Sequence, residues 1–445
     1  MKKSRLYMEA YLTCLAVKKQ INESLRTPVF LKNRKMLYES LECILAFFQT
    51  EGEIPDELYD AWDQIKVQWN NATPSGLSSI KEETDTFFAF SLEELAKYLL
   101  AEIKLKQEIE KEEAEEYFTF FEQIPRNTVR IFTLIFHVCN KCSLKHPQKS
   151  FDWTMKLFEE NPALLSGKGN AHPDYIYRES EQRTFHKCPI CGGTGKPFFR
   201  AMAYDMSDFS YPALPAKLWM SCEDCGNLYT WKFQEAYLKQ AEYYRLLQPE
   251  KEKFWLTSEP VNSTSLALWA KVLERLQTYS SSNTLLEVGV GRGELIAVAL
   301  ELGYEVDAVE LNQDVAQKVA NLLDIPVWNC DFLQYHAEKK YSRIIMGDVI
   351  EHVQSPEEAL KNAYRLLEDD GVLWVSTPNY ASSYSKFMKL NDPMWKEPNH
   401  ISYFCYEGLE RLAAKCGFKA VDYQVSRRYN GSMEVVFVKA GRKIR

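Results

Sequence analysis

In the second half of the chain, short apolar segments alternate with longer amphipathic ones, a pattern typical of buried strands connected by helices. The predicted strands are residues 285–288, 305–310, 326–328, 343–348 and 371–378. A predicted helix at 406–416 separates them from two further strands, 418–425 and 433–438, which flank the turn pair Asn430-Gly431. The pattern therefore predicts an α/β domain that ends in a β-hairpin.

The first 160 residues carry a different pattern, in which apolar residues recur every three or four positions. Leu37, Leu41 and Ile44 fall on one side of a helix by this spacing. Glutamates concentrated at 108–116, with lysines among them, predict a solvated helix surface. The sequence thus predicts an α-helical N-terminal region over 1–160, and a docking site for a protein partner on these helices is an open alternative.

The overall charge argues against a nucleic-acid partner. Lysine and arginine total 54 against 62 aspartates and glutamates, a formal net charge of −8, whereas a duplex-binding protein normally carries a basic surplus or stripe. The most apolar run, residues 128–139, is too short for a membrane span and contains Arg130 and His137. Eleven cysteines without an export signal predict a reducing compartment, and hence a cytoplasmic location.

Four of the cysteines form two Cys-x-x-Cys pairs, and each pair is followed by glycine. Cys188 and Cys191 make the first pair, and Cys222 and Cys225 make the second. Two such turns supply the four soft ligands of a closed, tetrahedral zinc site. We therefore expect a zinc-ribbon module over 185–232 whose zinc ion is structural, because protein ligands fill every coordination position. Two thiol turns without metal are the alternative.

The segment with the clearest chemical meaning follows the first predicted strand. Gly289, Gly291 and Gly293 occur at alternate positions, directly before a predicted helix. Glycines let the chain turn sharply and leave no side chain between backbone amides and a ligand, and a helix start presents unpaired N–H groups. Glu287 stands two residues before the first glycine, where the usual dinucleotide-binding fingerprint carries no acid. The loop therefore predicts contact with a nucleotide-like cofactor.

This sequence, acid-x-Gly-x-Gly-x-Gly, resembles motif I of the class I S-adenosylmethionine-dependent methyltransferases. The resemblance extends over residues 262–445, because Glu310 ends the second strand 23 residues after Glu287, and Asp331 and Phe332 follow the third strand. It implies a Rossmann-like, seven-stranded class I methyltransferase domain. A four-cysteine zinc module before such a domain is similar to a bacterial arrangement found in glycan and secondary-metabolite pathways.

By this resemblance, the domain would bind S-adenosylmethionine at the ends of its strands. Glu287 would support the glycine loop and the charged methionine end of the cofactor, and Glu310 would bond the ribose hydroxyls. Asp331 would bond the adenine amino group, Phe332 would flank the adenine ring, and Asp348 would form the wall that faces the methyl group. The residues expected to bind the cofactor are Glu287, Gly289, Gly291, Gly293, Glu310, Leu311, Asp331, Phe332 and Asp348.

The acceptor that the resemblance implies is a small molecule or a glycan precursor. A sulfonium methyl group is already activated, so the protein acts mainly by aligning the reactants and excluding water. An oxygen or nitrogen acceptor can also need a base, and histidine is suited to this role because its ordinary pKa lies near neutrality. The candidate catalytic residues are His352, just beyond the fourth strand, and His400, in the segment after the fifth strand.

Two alternatives stay open. A helical turn beginning at Asp348 would place Asp348, Glu351 and His352 at i, i+3 and i+4, where they could bind a divalent ion. This arrangement resembles the metal motif of quinone-pathway O-methyltransferases, which has glutamate where Asp348 stands. The other alternative is an RNA methyltransferase with a zinc ribbon, although acidic residues nearly match the basic residues of the ribbon in number.

Overall fold

The computed structural model describes residues 2–23, 29–51, 54–70, 77–126, 128–161, 182–202, 216–234, 265–397 and 399–442. The chain divides into two compact units, residues 1–157 and 158–445. None of the helices in the described ranges has the length and apolarity needed to cross a bilayer.

The N-terminal region is helical, as predicted. Its helices are α1 (Lys2–Glu23), α2 (Val29–Glu51), α3 (Asp56–Asn70), α4 (Leu77–Leu105), α5 (Lys111–Gln123), α6 (Val129–Lys141) and α7 (Pro147–Glu160). Leu37, Leu41 and Ile44 are buried on α2, which confirms the predicted helix face. Aromatic rings add to this core, and Tyr7 of α1 stacks on Phe47 of α2 with ring centroids 4.1 Å apart.

The charged segment at 108–116, predicted as one helix surface, is interrupted. Helix α4 ends at Leu105 and α5 begins at Lys111, so residues 106–110 form a connection between them. Within this connection Ile109 is buried, and its N–H donates to the carbonyl of Lys141 at 3.1 Å. The prediction was wrong here because burial of one apolar residue inside the charged run redirects the backbone.

The second unit contains thirteen strands and six α-helices among its described residues. The strands are β1 (Gln182–Thr184), β2 (Gly195–Met202), β3 (Ala216–Cys222), β4 (Leu228–Thr230), β5 (Lys232–Gln234), β6 (Thr284–Val288), β7 (Glu305–Glu310), β8 (Val327–Asn329), β9 (Tyr341–Gly347), β10 (Leu367–Pro378), β11 (Ser402–Tyr403), β12 (Phe418–Val425) and β13 (Ser432–Lys439). The helices are α8 (Ser265–Gln277), α9 (Glu294–Glu301), α10 (Gln313–Leu323), α11 (Pro356–Leu366), α12 (Ser383–Met388) and α13 (Tyr406–Lys415). Three short 3-10 helices are Phe332–Gln334, Lys389–Asn391 and Pro393–Lys396.

Seven strands form one mixed sheet in the order β12-β13-β10-β9-β6-β7-β8. Its pairs are parallel except for those of β13, which runs antiparallel to both β10 and β12. The order of connection reverses between β6 and β9, and at such a switch point the carboxyl ends of the strands border a crevice that suits a ligand. The Rossmann-like, seven-stranded prediction is confirmed.

Local sequence explains several element boundaries in this sheet. Ser355 caps α11, since its Oγ accepts from the N–H of Glu358 at 3.4 Å, and Pro356 begins the helix. Strand β10 begins at Leu367, earlier than the predicted 371, because Leu367 already pairs with Tyr341 of β9. The pairing of the two strands is irregular between Leu367 and Val372.

A second, four-stranded sheet has the order β11-β4-β3-β2. Strands β2 to β4 come from the predicted zinc-ribbon segment, whereas β11 comes from the segment after β10. The connection continues beyond β11, because the N–H of Thr230 donates to the carbonyl of Ile401 at 2.9 Å. Trp219 and Tyr403 pack across it with ring centroids 4.4 Å apart. The ribbon segment therefore fixes the backbone that carries His400.

Candidate functional site

The loop after β6 has a backbone conformation that favours glycine. The φ angles of Gly289, Gly291 and Gly293 are 77°, 51° and 79°, in the left-handed region. A Cβ on Gly289 would lie 3.0 Å from Val349, and one on Gly293 would lie 3.1 Å from Val319, whereas one on Gly291 would meet no atom within 4 Å. The loop therefore leaves open space beside Gly291, directly before the first N–H groups of α9.

Glu310, at the end of β7, joins this loop to the next one. Its Oε2 accepts from the N–H of Val290 at 3.0 Å, and its Oε1 accepts from the N–H of Asn312 at 2.8 Å. Burial raises the pKa of the Glu310 carboxyl, although these N–H donors oppose the shift. Leu311, half-buried, lies between Glu310 and the cap of α10. The structure thus places the predicted ribose acid against the glycine loop.

Glu287 lies at the base of the same crevice, within β6. Its side chain is 5% exposed, and its Oε2 has no hydrogen-bond partner among the described residues. Burial raises the pKa of Glu287 well above its ordinary value, and the neighbouring Glu310 adds to the shift, whereas Arg428 opposes it. A buried carboxylate oxygen without a partner costs free energy unless a ligand donates to it.

Asp348, after β9, is held by two partners that the sequence did not reveal. Its Oδ1 accepts from Ser376 Oγ at 3.1 Å, and its Oδ2 lies 3.1 Å from Arg428 Nη2. The Arg428 guanidinium also lies over the Trp269 ring, 3.9 Å from the ring centroid. Burial raises the pKa of Asp348. The only sequence signal for Arg428 was a pair of arginines before the hairpin turn.

Asp331 and Phe332 lie beyond β8, the edge strand beside β7. Asp331 Oδ1 accepts from the N–H of Leu333 at 2.9 Å and so caps a short 3-10 helix. Phe332 is buried at 4% exposure, and its carbonyl accepts from Asn362 Nδ2 at 2.6 Å. Their contacts with adenine stay a prediction. Trp328 on β8, which the sequence did not single out, is the exposed aromatic residue near them, at 53% exposure.

The helical turn required by the quinone-type metal motif does not form. Asp348 has a φ of 57°, outside the helical region, and its carboxylate contacts Ser376 and Arg428 instead. His400 takes the third position, because one ligand atom of each of Glu351, His352 and His400 lies within 4.8 Å of the others. The sequence did not foresee this cluster because 48 residues separate His352 from His400.

The cluster of Glu351, His352 and His400, which we call the Glu-His-His cluster, lies deep in the second unit. Glu351 is fully buried, and its Oε2 accepts from Thr377 Oγ1 at 3.0 Å. The two imidazole centroids are 4.6 Å apart. Burial lowers the pKa of His352 to about 4 and that of His400 well below its ordinary value. Both imidazoles are therefore neutral and weakly basic at pH 7.

A cavity of about 10 Å³, with room for about one water molecule, lies beside the end of β10. Its lining residues are Pro378, Asn379, Tyr380, Ser385, Asp392, Met394, Trp395, Tyr403 and Gly431. The hydroxyl of Tyr403 lies 2.9 Å from His400 Nδ1, so one wall of the cavity contacts the Glu-His-His cluster. This volume is far below the range of about 300–1,000 Å³ that is common for small-molecule pockets, so an acceptor would enter here only if the surrounding segments moved apart.

Lys217 of β3 fixes the backbone around His400. Its side chain is buried, and Nζ donates to the carbonyl of Glu397 at 2.8 Å and to that of His400 at 2.7 Å. Burial lowers the pKa of Lys217 to about 7, although Glu397 opposes the shift. The sequence did not indicate this role of Lys217, because its partner at Glu397 is a backbone atom 180 residues away.

The four predicted metal-ligand cysteines come together at one end of the four-stranded sheet. The Sγ atoms of Cys188 and Cys225 are 3.8 Å apart, and those of Cys191 and Cys222 are 3.5 Å apart. Sulfurs bound tetrahedrally to zinc at about 2.3 Å would be about 3.8 Å apart. Burial raises the pKa of the Cys191 thiol to about 12.

Each cysteine pair lies in a tight turn that ends in a left-handed glycine. The N–H of Gly192 donates to the carbonyl of Cys188 at 2.8 Å, and that of Gly226 donates to the carbonyl of Cys222 at 3.0 Å. The φ angles of these glycines are 77° and 72°. The second turn is tied to the later segment, because Arg411 Nη2 donates to the carbonyl of Cys225 at 2.6 Å.

Comparison with known proteins supports the reading of the second unit. Residues 262–423 match the sequence model of a family described as a methyltransferase domain. A ubiquinone biosynthesis O-methyltransferase of Glaesserella parasuis serovar 5 (strain SH0165) is 32% identical over 106 residues, which are 21% of this chain and 45% of that protein. The chain therefore matches less than half of that relative's length.

Two solved structures are similar to part of the chain. The CcbJ methyltransferase from Streptomyces caelestis is 17% identical with a TM-score of 0.34, and the similarity covers 40% of this chain and 91% of that protein. Magnesium protoporphyrin IX methyltransferase from Synechocystis PCC 6803 is 13% identical with a TM-score of 0.36, covering 45% and 98%. The family match, together with the acidic glycine loop and the seven-stranded sheet, identifies residues 262–423 as an S-adenosylmethionine-dependent methyltransferase domain.

Proposed function

We propose that this protein transfers a methyl group from S-adenosylmethionine to a small molecule or glycan precursor in the cytoplasm. The observation that carries the proposal is the glycine loop after β6, held against Glu310 and open beside Gly291.

The residues around the crevice fit this cofactor. The partnerless oxygen of Glu287 offers an acceptor for the ammonium of the methionine end, and the space beside Gly291 admits a ligand against the backbone. Glu310 offers carboxylate oxygens toward ribose, and Leu311 adds an apolar contact. Asp331 and Phe332 would hold the adenine, and Asp348 would face the methyl group. When bound, S-adenosylmethionine supplies a methyl group that its sulfonium already activates.

The small cavity beside β10 is the proposed acceptor end of the site. Aromatic side chains such as Tyr380 and Trp395 line it and would exclude water from the reacting group. His352 and His400 lie behind the wall formed by Tyr403. With the pKa of His352 near 4, these imidazoles are poor proton acceptors at pH 7, and their proposed part is to position Tyr403.

The cysteine cluster is proposed to bind one structural zinc ion. Its sulfur separations match a tetrahedral thiolate site, and the four ligands leave no position for substrate. The ion would fold the turns that carry β3 and β4, and through β11 it would stabilise the segment around His400.

Two lysines in the described part of the ribbon are already engaged by other groups, which counts against the RNA alternative. Lys196 lies 3.0 Å from Glu223 in an exposed ion pair, and Lys217 is buried against backbone carbonyls. Neither lysine is therefore free to form the basic face that a phosphate backbone needs.

The cofactor site is tested by Gly291→Asp. The positive φ of Gly291 would strain any residue that has a side chain, and the added carboxylate would occupy the open space beside the loop. We expect at least a tenfold loss of S-adenosylmethionine affinity in isothermal titration calorimetry.

Gly303→Asp is the matched control, because Gly303 also has a positive φ and open space at its Cβ but lies after α9, away from the loop. It should lose stability to a similar degree and keep its affinity for the cofactor. Equal affinity in the two variants, or no binding by the wild-type protein, would refute the proposed site.

The acceptor class is tested with cofactor labelled in its methyl group. The protein is incubated with a cell extract that has been separated into small-molecule, glycan-precursor and RNA fractions. We expect label in the first or second fraction, and label confined to RNA would overturn the proposed substrate class.

A further inference from the structure

We propose that the Glu-His-His cluster binds a divalent transition-metal ion, separate from the four-cysteine site. Two imidazoles and one carboxylate come from two distant segments, and their ligand atoms lie within 4.8 Å of one another. This site replaces Asp348 of the sequence-based metal motif by His400. Its existence does not depend on methyl transfer.

The hydrogen bonds of the two imidazoles leave one nitrogen of each ring available. His352 Nδ1 lies 3.2 Å from the carbonyl of Asn399, and because a carbonyl can only accept, this nitrogen carries the proton. His400 Nδ1 is engaged by the Tyr403 hydroxyl at 2.9 Å. Nε2 of His352 is then the nitrogen available to a metal. Nε2 of His400 is available in the tautomer whose Nδ1 donates to the Tyr403 hydroxyl, and in both rings the outer partner fixes the orientation, as is typical of histidine ligands.

Glu351 supplies the third ligand, and its side chain gives an independent indication that the cluster binds a cation. Its Oε2 accepts from Thr377, but its Oε1 has no partner among the described residues although the side chain is fully buried. An isolated carboxylate in such a place is costly, and a cation in contact with it would offset the cost.

The ligand types select the class of ion. Two imidazoles with one carboxylate suit zinc, iron, cobalt or nickel, whereas magnesium and calcium prefer oxygen ligands throughout. Ligands at about 2.1 Å from an ion are about 3.4 Å apart in a tetrahedral site, a spacing that small rotations of the two imidazoles would provide. Three protein ligands leave a position for water or another oxygen.

The rigidity of the backbone is also appropriate for a metal site. His352 is half-buried, whereas Glu351 and His400 are buried. The backbone is fixed on both sides, because the N–H groups of Ile401 and Ser402 donate to the carbonyl of Glu351 at 2.9 and 3.2 Å. The three ligands therefore belong to one preformed framework.

Cobalt(II) provides a direct test. Full-length protein with zinc in the four-cysteine site is washed with a mild chelator and titrated with Co²⁺, by calorimetry and by visible absorption. Cobalt bound to imidazole and carboxylate gives weak visible bands, whereas cobalt bound to thiolates adds strong near-ultraviolet absorption. We expect one equivalent of Co²⁺ with visible bands and without thiolate absorption.

Glu351→Gln and His400→Ala should each weaken Co²⁺ binding at least tenfold, whereas His336→Ala should bind like the wild-type protein. His336 is an exposed histidine of the same unit that contacts Arg365 instead of the cluster. Glu351→Gln retains the shape of the side chain and its acceptor for Thr377, so it is the variant best suited to keep the fold, which a thermal melt checks.

The proposal is overturned if the wild-type protein takes up no Co²⁺ while its four-cysteine site stays filled, or if the absorption shows thiolate ligands only. It is also overturned if folded Glu351→Gln binds as tightly as His336→Ala. Affinity for S-adenosylmethionine is measured on the same samples without Co²⁺. Loss of cofactor binding alone would count against the proposed methyltransferase function and leave the metal site standing.

Discussion

At the scale of single residues, the methyltransferase domain concentrates buried acid around one arginine. Glu287, Asp348 and Glu351 are buried, and burial raises the pKa of each carboxyl. Arg428 opposes all three shifts, yet it makes a close ion pair only with Asp348. Buried carboxyl groups without a close cation destabilise the protein by themselves, and they are typical of sites where a ligand contacts them. The cationic end of a cofactor is the partner that Glu287 lacks.

This leads to a pH dependence that Glu287→Gln should reduce. The folded-state pKa of Glu287 lies above its ordinary value of 4.5, so the folded protein keeps a proton that the unfolded chain has lost. Stability from this group is therefore highest below pH 4.5 and falls as pH rises toward the folded-state pKa. At pH 8 the variant should melt higher by roughly 2–4 °C for each kcal/mol recovered, and near pH 4.5 the two proteins should melt alike.

Differential scanning calorimetry between pH 4.5 and pH 8 measures this difference. Glu301→Gln is the control, since Glu301 is exposed at the end of α9 and should leave the pH dependence unchanged. Parallel melting curves for the wild-type protein and Glu287→Gln across the pH range would contradict the argument. The same variant should bind S-adenosylmethionine more weakly, because it loses the charge that faces the ammonium.

At the scale of secondary-structure elements, strand β11 joins the segment after β10 to the four-stranded sheet. It has only two residues, Ser402 and Tyr403, yet it pairs with β4 and follows directly on the Glu-His-His cluster. Asn227, between the second cysteine turn and β4, continues this connection, because its Oδ1 accepts from the N–H of Cys405 at 3.2 Å. That bond satisfies a backbone donor at the start of α13, where no side chain of the helix does so.

Asn227→Ala should therefore destabilise the second unit by about 1–3 kcal/mol, the usual cost of leaving a buried donor without an acceptor. Calorimetric melting would show this as a lower transition temperature. Asn283→Ala removes an exposed side-chain bond to the carbonyl of Gly303 and should cost much less. If both variants melt at the same temperature, the contact at Cys405 does not hold α13 in place.

At the scale of the whole molecule, the proposed zinc ion would affect segments beyond its own ligands. The four-cysteine turns support β3 and β4, and β4 pairs with β11 beside His400. Loss of the ion should therefore loosen both the ribbon and the segment after β10. The helical first unit has a core of its own, with residues such as Phe118 and Ile135 fully buried.

Cys222→Ser tests this coupling. After a mild chelator wash, elemental analysis should find about one zinc per chain in the wild-type protein and none in the variant. Hydrogen exchange should accelerate at 216–234 and 399–405 and stay unchanged at 111–160. Cys330→Ser, at a half-exposed cysteine outside the cluster, should keep its zinc and its exchange pattern. Unchanged exchange around His400 in a zinc-free Cys222→Ser protein would disprove the coupling.

Much of the fold was accessible from the sequence because its signals are local. Apolar runs, glycines and caps such as Ser355 indicate strand–turn–helix units. The predicted strands agree with the structure to within a few residues. The two Cys-x-x-Cys turns were also predictable from the sequence, since a metal-binding turn is defined by residues three positions apart. The interrupted helix at 106–110 was missed because its cause, a contact of Ile109 with Lys141, is not local.

The sequence by itself determined the seven-stranded domain, the acidic glycine loop and the four convergent cysteines, because each depends on spacing within one short segment. Only the tertiary structure decided that Arg428 pairs with Asp348, that Lys217 holds the backbone at His400, and that His400 rather than Asp348 joins Glu351 and His352. These contacts join residues tens to nearly two hundred positions apart. Their partners are chosen by packing and burial, which no pattern along the chain records.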